Sequence, residues 1–296
     1  MVESTEAGGI GVFPALNYRP IERYREALVA IRKRTSQPIG VNVIVNKSNT
    51  RQSEDVKWAL NSGVELFITS LGNPKKVIED AHRNGAKVFC DVTNLEHALK
   101  VQDLGADGVI AVSTGAGGHA GPITPFVLLP WLRSELKICV IAAGGISHGS
   151  GLVASLALGA DGVSVGTRFI ASKEATIDPA YKAAVVSATA EDIVLTTRVS
   201  GTPASVINTP YVQKMGLDLP LALKILKENK YAKKYAVPLI HLLGMRSLEK
   251  SANQPTWKTV WSAGQSVGLI HEVLSVREIF AKFLKEYEDA ILKMPV

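Results

Sequence analysis

Short runs of consecutive apolar, often β-branched residues alternate along most of the chain with longer stretches in which apolar residues recur every three or four positions. The runs predict strands over 10–16, 39–45, 66–70, 87–92, 108–113, 139–143 and 162–165; the periodic stretches predict helices over 21–34, 54–62, 75–84, 95–104, 124–136 and 149–158. Apolar residues fill these strands instead of alternating with polar ones, as in parallel strands covered by helices on one face and buried on the other. Such strict alternation of strand and helix is a parallel α/β architecture, here a TIM-like (β/α) barrel. Glycines at 63, 85, 105 and 159 mark the junctions where a helix ends and a strand follows, since the left-handed conformation of a helix terminus costs glycine no Cβ clash. The hexapeptide Leu-Gly-Ala-Asp-Gly-Val at 104–109 recurs at 158–163, a spacing of 54 residues that equals two βα units.

Seven strands are counted where a closed TIM barrel has eight. The deficit falls at the front, where residues 2–6 read as the end of a helix leading directly into Gly8, Gly9 and a strand. The expectation is a barrel lacking its first strand, and a form extended upstream of Met1 is expected to be more stable. Past the barrel, Pro220, Pro238 and Pro255 and three helical stretches break the alternation. The chain therefore divides into a barrel over 1–214, a helical lid over 215–265 and a C-terminal segment over 266–296 whose amphipathic helix (276–291) packs on the barrel.

Composition narrows the class. With 46% hydrophobic and 20% charged residues the chain forms a large aliphatic core. A net charge of +6 is spread along it, apart from a cluster at Lys227, Lys230, Lys233 and Lys234, which argues for a solvated helix face over a nucleic-acid surface. No apolar run approaches the ~20 residues that span a bilayer, and no secretory signal precedes the first strand. Cys90 and Cys139 both lie in apolar strands, consistent with free thiols and a cytoplasmic setting. The apolar stretches 237–243 and 266–270 leave a homodimer contact open.

Chemistry in such barrels comes from the loops after the strands. Gly144 and Gly145 follow the strand 139–143 and open a helix, and Gly166 and Thr167 follow the strand 162–165. Glycines admit close approach of backbone to a phosphate, and a helix N-terminus offers amides and partial positive charge. The alternative is a pair of tight βα turns. A third loop carries Gly117, Gly118, His119 and Gly121. His119 alone among the six histidines is flanked by glycines at a strand end; His82, His97 and His271 fit amphipathic helices, His241 lies in the lid, and His148 follows the Gly144-Gly145 loop. An imidazole there can exchange protons near neutrality, or can be a surface loop residue. Asn42, inside an apolar strand, needs a partner that either a ligand edge or the backbone can supply.

Taken together, Gly40-Val41-Asn42, the segment 116–121 around Gly117, Gly118 and His119, the segment 141–146 and the segment 165–169 resemble the nitronate monooxygenase family, formerly 2-nitropropane dioxygenases, which includes a flavin-dependent enoyl-acyl-carrier-protein reductase branch. The resemblance runs from Gly8 to about Pro210. It implies non-covalent FMN, with Asn42 contacting the flavin, Gly117 and Gly118 lining its face, Gly144, Gly145, Ser164, Val165, Gly166 and Thr167 around the ribityl phosphate, and His119 as the catalytic histidine. It implies oxidation of alkyl nitronates or nitroalkanes by dioxygen to carbonyl compounds and nitrite, with a small-molecule substrate and no nucleic-acid or membrane partner. An NAD(P)H-dependent enoyl-thioester reductase and a flavin-binding protein without turnover are the competing expectations. Val112, Ser113 and Ala116 stand where family members commonly carry acidic or amide side chains, and Asp91 stands where some carry lysine.

Overall fold

The computed structural model describes residues 1–46, 49–198, 201–218 and 260–294. Seven parallel strands form one curled sheet in chain order: β1 (Gly11–Pro14), β2 (Ile39–Ile44), β3 (Leu66–Ser70), β4 (Lys87–Val92), β5 (Gly108–Val112), β7 (Cys139–Ala143) and β8 (Gly162–Ser164). A two-residue strand, β6 (Gly118–His119), leaves this sheet after β5. Sequential order follows from the connections, each of which crosses over through a helix and returns beside the preceding strand. The helices are α2 (Ile21–Arg32), α3 (Gln52–Asn61), α4 (Lys75–Arg83), α5 (Leu95–Asp103), α6 (Pro125–Glu135) and α7 (Gly149–Ala157), after a short α1 (Val2–Glu6). Seven strands are thus observed, as the pattern predicts, and β1 and β8 are the outer strands of the sheet.

Strand alternation sorts the apolar residues into two layers. Val41, Val43, Phe67, Val88, Cys90, Val109, Ala111, Val140 and Ala142 join Leu28, Val77, Ala98 and Leu132 in the core between sheet and helices. Their alternates, Val12, Leu66, Ile68, Phe89, Ile110, Ile141 and Ala143, pack together on the concave face. That face turns polar toward the carboxyl ends of the strands, where Asn42, Ser70 and Asp91 lie. Cys90 is buried, while Cys139 is half-buried at the start of its strand. Among the described residues no helix is long and apolar enough to cross a membrane.

A second, antiparallel sheet has no counterpart in the expected elements. It places β10 (Ala204–Ile207) between β6 and β9 (Ile193–Thr196), and it follows α8 (Thr167–Ile170) and α9 (Pro179–Ser187) and precedes α10 (Pro210–Met215). Of the expected lid, residues 219–259 lie outside the described residues, as do His241, the lysine cluster and the apolar stretch 237–243. His271 corrects a further expectation: it falls in the turn between a short 3-10 segment (Gln265–Leu269) and the last helix. The stretch 266–270 is also no open dimer surface, because Ser266, Val267 and Ile270 are buried within the chain and only Leu269 is exposed.

The last helix, α11 (Val276–Leu292), starts at a capping box formed by Ser275 and Glu278 and packs against α7 and α1. At the α7 crossing Gly149 lets two backbones touch, since a Cβ there would lie 2.3 Å from Tyr287 N and 2.4 Å from Phe283 O. Gly149→Ala is therefore expected to lose about 1–3 kcal/mol of stability, the usual cost of overpacking against atoms that cannot move aside. A thermal midpoint equal to the parent's would show that α11 is not seated there.

Candidate active site

The loop after β5 folds back over the strand ends. Thr114 N donates to Ile123 O at 2.9 Å, and the buried Ser113 donates through Oγ to Ala143 O at 2.8 Å. Gly121 touches Val112 O and Thr93, so the loop returns to the sheet before α6 begins. Between these anchors β6 pairs antiparallel with β10, Gly118 opposite Ser205 and His119 opposite Ala204. His119 is thus part of a ribbon above the sheet instead of an irregular loop, and it is exposed.

The two other glycine loops meet this one. Gly145 N donates to Gly115 O at 3.2 Å, and a Cβ on Gly144 (φ +111°) would lie 2.9 Å from Ser113 Oγ and 3.0 Å from Ala116 N. A strap at residues 263–265 closes the group. Gln265 N donates to Gly115 O at 3.1 Å, Gly264 N donates to the buried Thr167 Oγ1 at 3.0 Å, and Gly117 abuts the Ala263 and Gly264 backbone. Ser147 Oγ donates to Ser266 O at 3.0 Å and fixes the next part of the strap. The structure therefore brings Gly117, Gly118, Gly144, Gly145 and Thr167 into one cluster, with Ser164, Val165 and Gly166 at its β8 side.

This cluster has an open side. A Cβ built on Gly118, Gly145 or Gly166 would meet nothing within 4 Å, although the neighbouring Gly117, Gly144 and Gly264 are pressed against backbone. Glycines bordering empty space at the carboxyl ends of late strands fit a phosphate-bearing ligand, which needs close backbone approach. The start of α7 contributes less than its sequence promises. His148 Nδ1 caps it by accepting from Ser150 N at 3.1 Å, and Gly149 N donates to Glu286 Oε2 of α11 at 2.9 Å. The carboxylate of Glu286 thus already occupies the electropositive end of α7, and a second anion is better received toward Gly145 and Gly166. Behind the β8 loop the buried Arg168 donates to Glu272 O at 3.1 Å, and desolvation lowers its pKa.

Asn42 belongs to a separate group on the concave face. Its Nδ2 donates to Ser70 Oγ at 2.8 Å and lies 3.4 Å from Ile68 O, while Ser70 Oγ donates to Asp91 Oδ2 at 2.5 Å. Of the two partners open to Asn42 in the sequence, the sheet itself supplies one. Burial pushes the Asp91 carboxyl up to about 6, against the opposing effect of the Ser70 hydrogen bond. Among the described residues no group of histidines, cysteines and carboxylates could hold a metal ion. The strap, Glu286 and Ser70, with its link to Asp91, are what sequence reasoning misses.

A curled parallel sheet with glycine-lined loops gathered at its carboxyl ends is the arrangement of a TIM-like barrel protein whose site lies on that face. The chain belongs to the nitronate monooxygenase family, whose sequence model matches residues 3–286. It is similar to a Mycobacterium tuberculosis (3aS,4S,5R,7aS)-5-hydroxy-7a-methyl-1-oxo-octahydro-1H-indene-4-carboxyl-CoA dehydrogenase, 32% identical over 72% of this chain and 60% of that protein. A probable nitronate monooxygenase of Staphylococcus saprophyticus is 31% identical over 78% of this chain and 65% of its own length. The chain thus spans about two thirds or less of these curated relatives. The solved structure of FabK from Thermotoga maritima superposes with a TM-score of 0.84 at 33% identity, covering 99% of this chain and 89% of that one.

Proposed function

We propose that the chain is an FMN-dependent oxidoreductase acting on alkyl nitronates or nitroalkanes, with dioxygen as the final oxidant and a carbonyl compound and nitrite as products. The observation that carries this reading is the open side of the glycine cluster at Gly118, Gly145 and Gly166. In this reading Gly144, Gly145, Ser164, Val165, Gly166 and Thr167 hold the phosphate end of the cofactor, Gly117 and Gly118 border its ring, and Asn42 meets the ring from the concave face. When bound, FMN supplies the two-electron chemistry and the outlet to dioxygen. The protein's share is to exclude bulk water with the strap, orient the small substrate and move a proton. His119, held at the rim by the β6–β10 pairing, takes the α-proton of a neutral nitroalkane.

Two measurements test this. Gly166→Val places a branched side chain in the open space without backbone strain, since this residue lies in the αR region at φ −104°. FMN content of the purified variant should fall to a small fraction of the parent's. Full occupancy would place the phosphate elsewhere. Anaerobic mixing of the FMN form with an alkyl nitronate should reduce the flavin rapidly, and admission of air should restore its colour and release nitrite, with NAD(P)H reacting slowly.

The similarity to FabK over nearly the whole chain and to an indene-4-carboxyl-CoA dehydrogenase supports a second reading, an NAD(P)H-dependent enoyl-thioester reductase on the same cofactor site. Fast reduction by NAD(P)H coupled to enoyl-thioester consumption, with no response to nitronates, would favour it over the first.

A further inference from the structure

The hydrogen-bond chain on the concave face has a direction, and one residue outside the glycine cluster sets it. Asn42, Ser70 and Asp91 sit on the adjacent parallel strands β2, β3 and β4, near their carboxyl ends. Asp91 is half-buried above the apolar layer of Ile68, Phe89 and Ile110, and Ser70 is its hydrogen-bonding partner at 2.5 Å. The Ser70 hydroxyl has a single hydrogen, so it donates in one direction only. Although desolvation pushes the Asp91 carboxyl up to about 6, it is largely ionised at neutral pH and can only accept. Ser70 must then donate to Asp91 and accept from Asn42, which places Asn42 Nδ2, and not Oδ1, 2.8 Å from Ser70 Oγ. The second amide hydrogen is directed to Ile68 O, 3.4 Å away. Both donors of the Asn42 amide are thereby committed to the sheet, and its carbonyl oxygen is what remains for a ligand.

We propose that Asp91 is a positioning residue that acts through Ser70 to hold the Asn42 amide as a hydrogen-bond acceptor toward the strand ends, so that Asn42 recognises a ring N–H of the cofactor. This rests on the flavin reading above, since the imide of an isoalloxazine presents such an N–H beside two carbonyl oxygens. If the amide turned over, Asn42 would present a donor to that N–H and leave both groups unpaired. Asp91 does not touch the cofactor itself; its contribution is the direction of the chain.

The test uses FMN titrated into the apo form of the full chain, read by quenching of flavin fluorescence. Asp91→Asn installs an amide that can donate to Ser70, so the chain no longer has one direction, and affinity for FMN should fall about tenfold, the cost of one mispaired hydrogen bond in a partly buried site. Ser70→Ala removes the link and should give a similar loss, with little further loss when combined with Asp91→Asn, because both act on one chain. The double variant Asn42→Asp/Asp91→Asn reverses donor and acceptor at both bonds to Ser70 and again leaves an acceptor oxygen for the ligand, at the loss of the long bond to Ile68 O. It should recover part of the affinity lost in Asp91→Asn, whereas Asn42→Asp alone sets two carboxylates competing for one hydroxyl hydrogen and should bind worse. A role of Asp91 in packing alone predicts no recovery in the double variant, and that result, or unchanged affinity in Asp91→Asn, overturns the proposal. Parent protein that takes up no FMN overturns the flavin reading and this inference with it. Parent protein that binds FMN with all five variants equal to it overturns this inference alone.

Discussion

Replacing His119 with asparagine should leave flavin content and folding unchanged while lowering kcat/KM for neutral nitroalkanes by roughly 10²–10⁴, the range a positioned general base contributes. The backbone of residue 119 pairs with Ala204 whatever its side chain, and the side chain is exposed, so the ribbon survives the substitution. A neutral nitroalkane must lose its α-proton before it can be oxidised, whereas a pre-ionised nitronate has lost it already. The same variant should therefore lose much less activity on nitronates, and the ratio between the two substrates is the informative quantity. Equal losses on both would assign His119 to substrate binding instead of proton removal. No loss on either would make it a surface residue of the ribbon.

Gly264→Ala is expected to lower stability and to disturb the candidate site together. Its Cβ would lie 2.3 Å from Gly115 O, 2.8 Å from Gly117 N and 3.1 Å from Ala116 C, all of them backbone atoms that no rotamer change can withdraw. Either the strap lifts, losing the bonds from Gly264 N to Thr167 Oγ1 and from Gln265 N to Gly115 O, or the loop carrying Gly117 and His119 shifts. Both routes cost about 1–3 kcal/mol or more in stability, and both disturb the open side of the glycine cluster. A lowered thermal midpoint accompanied by weaker FMN retention is the expected pair of results. An unchanged midpoint with full flavin content would show that the strap does not rest on this loop.

The parallel sheet was legible because its signals are local. An uninterrupted apolar run such as Gly108–Val112 identifies a strand packed on both faces, and glycine at 105 or 159, with positive φ in the structure, marks the helix end before the next strand. The glycine loops were legible for the same reason. What escaped is held by contacts distant in sequence. Gly118 and His119 form a strand only because β10 arrives beside them, and two residues carry no periodicity of their own. The strands Ile193–Thr196 and Ala204–Ile207 are four residues each, too short for alternation to separate them from a loop. Asn42 was recognisable as a polar residue in an apolar strand, but its partners come from β3, and that of Ser70 from β4, on a side of the sheet that only the register reveals. Glu286 reads as one more charge on an amphipathic helix, and nothing near it signals that it caps α7.

Those late contacts also impose an order in time. The bond from Gly149 to Glu286 spans 137 residues, that from Ser147 to Ser266 spans 119, and that from Gly264 to Thr167 spans 97. A ribosome makes the chain from its N-terminus, and the early βα units can form as they emerge. The glycine loops after β7 and β8, by contrast, have no strap and no cap until residues 264–286 have followed them. A nascent chain halted before residue 260 would carry its whole parallel sheet yet lack the backing of the candidate site.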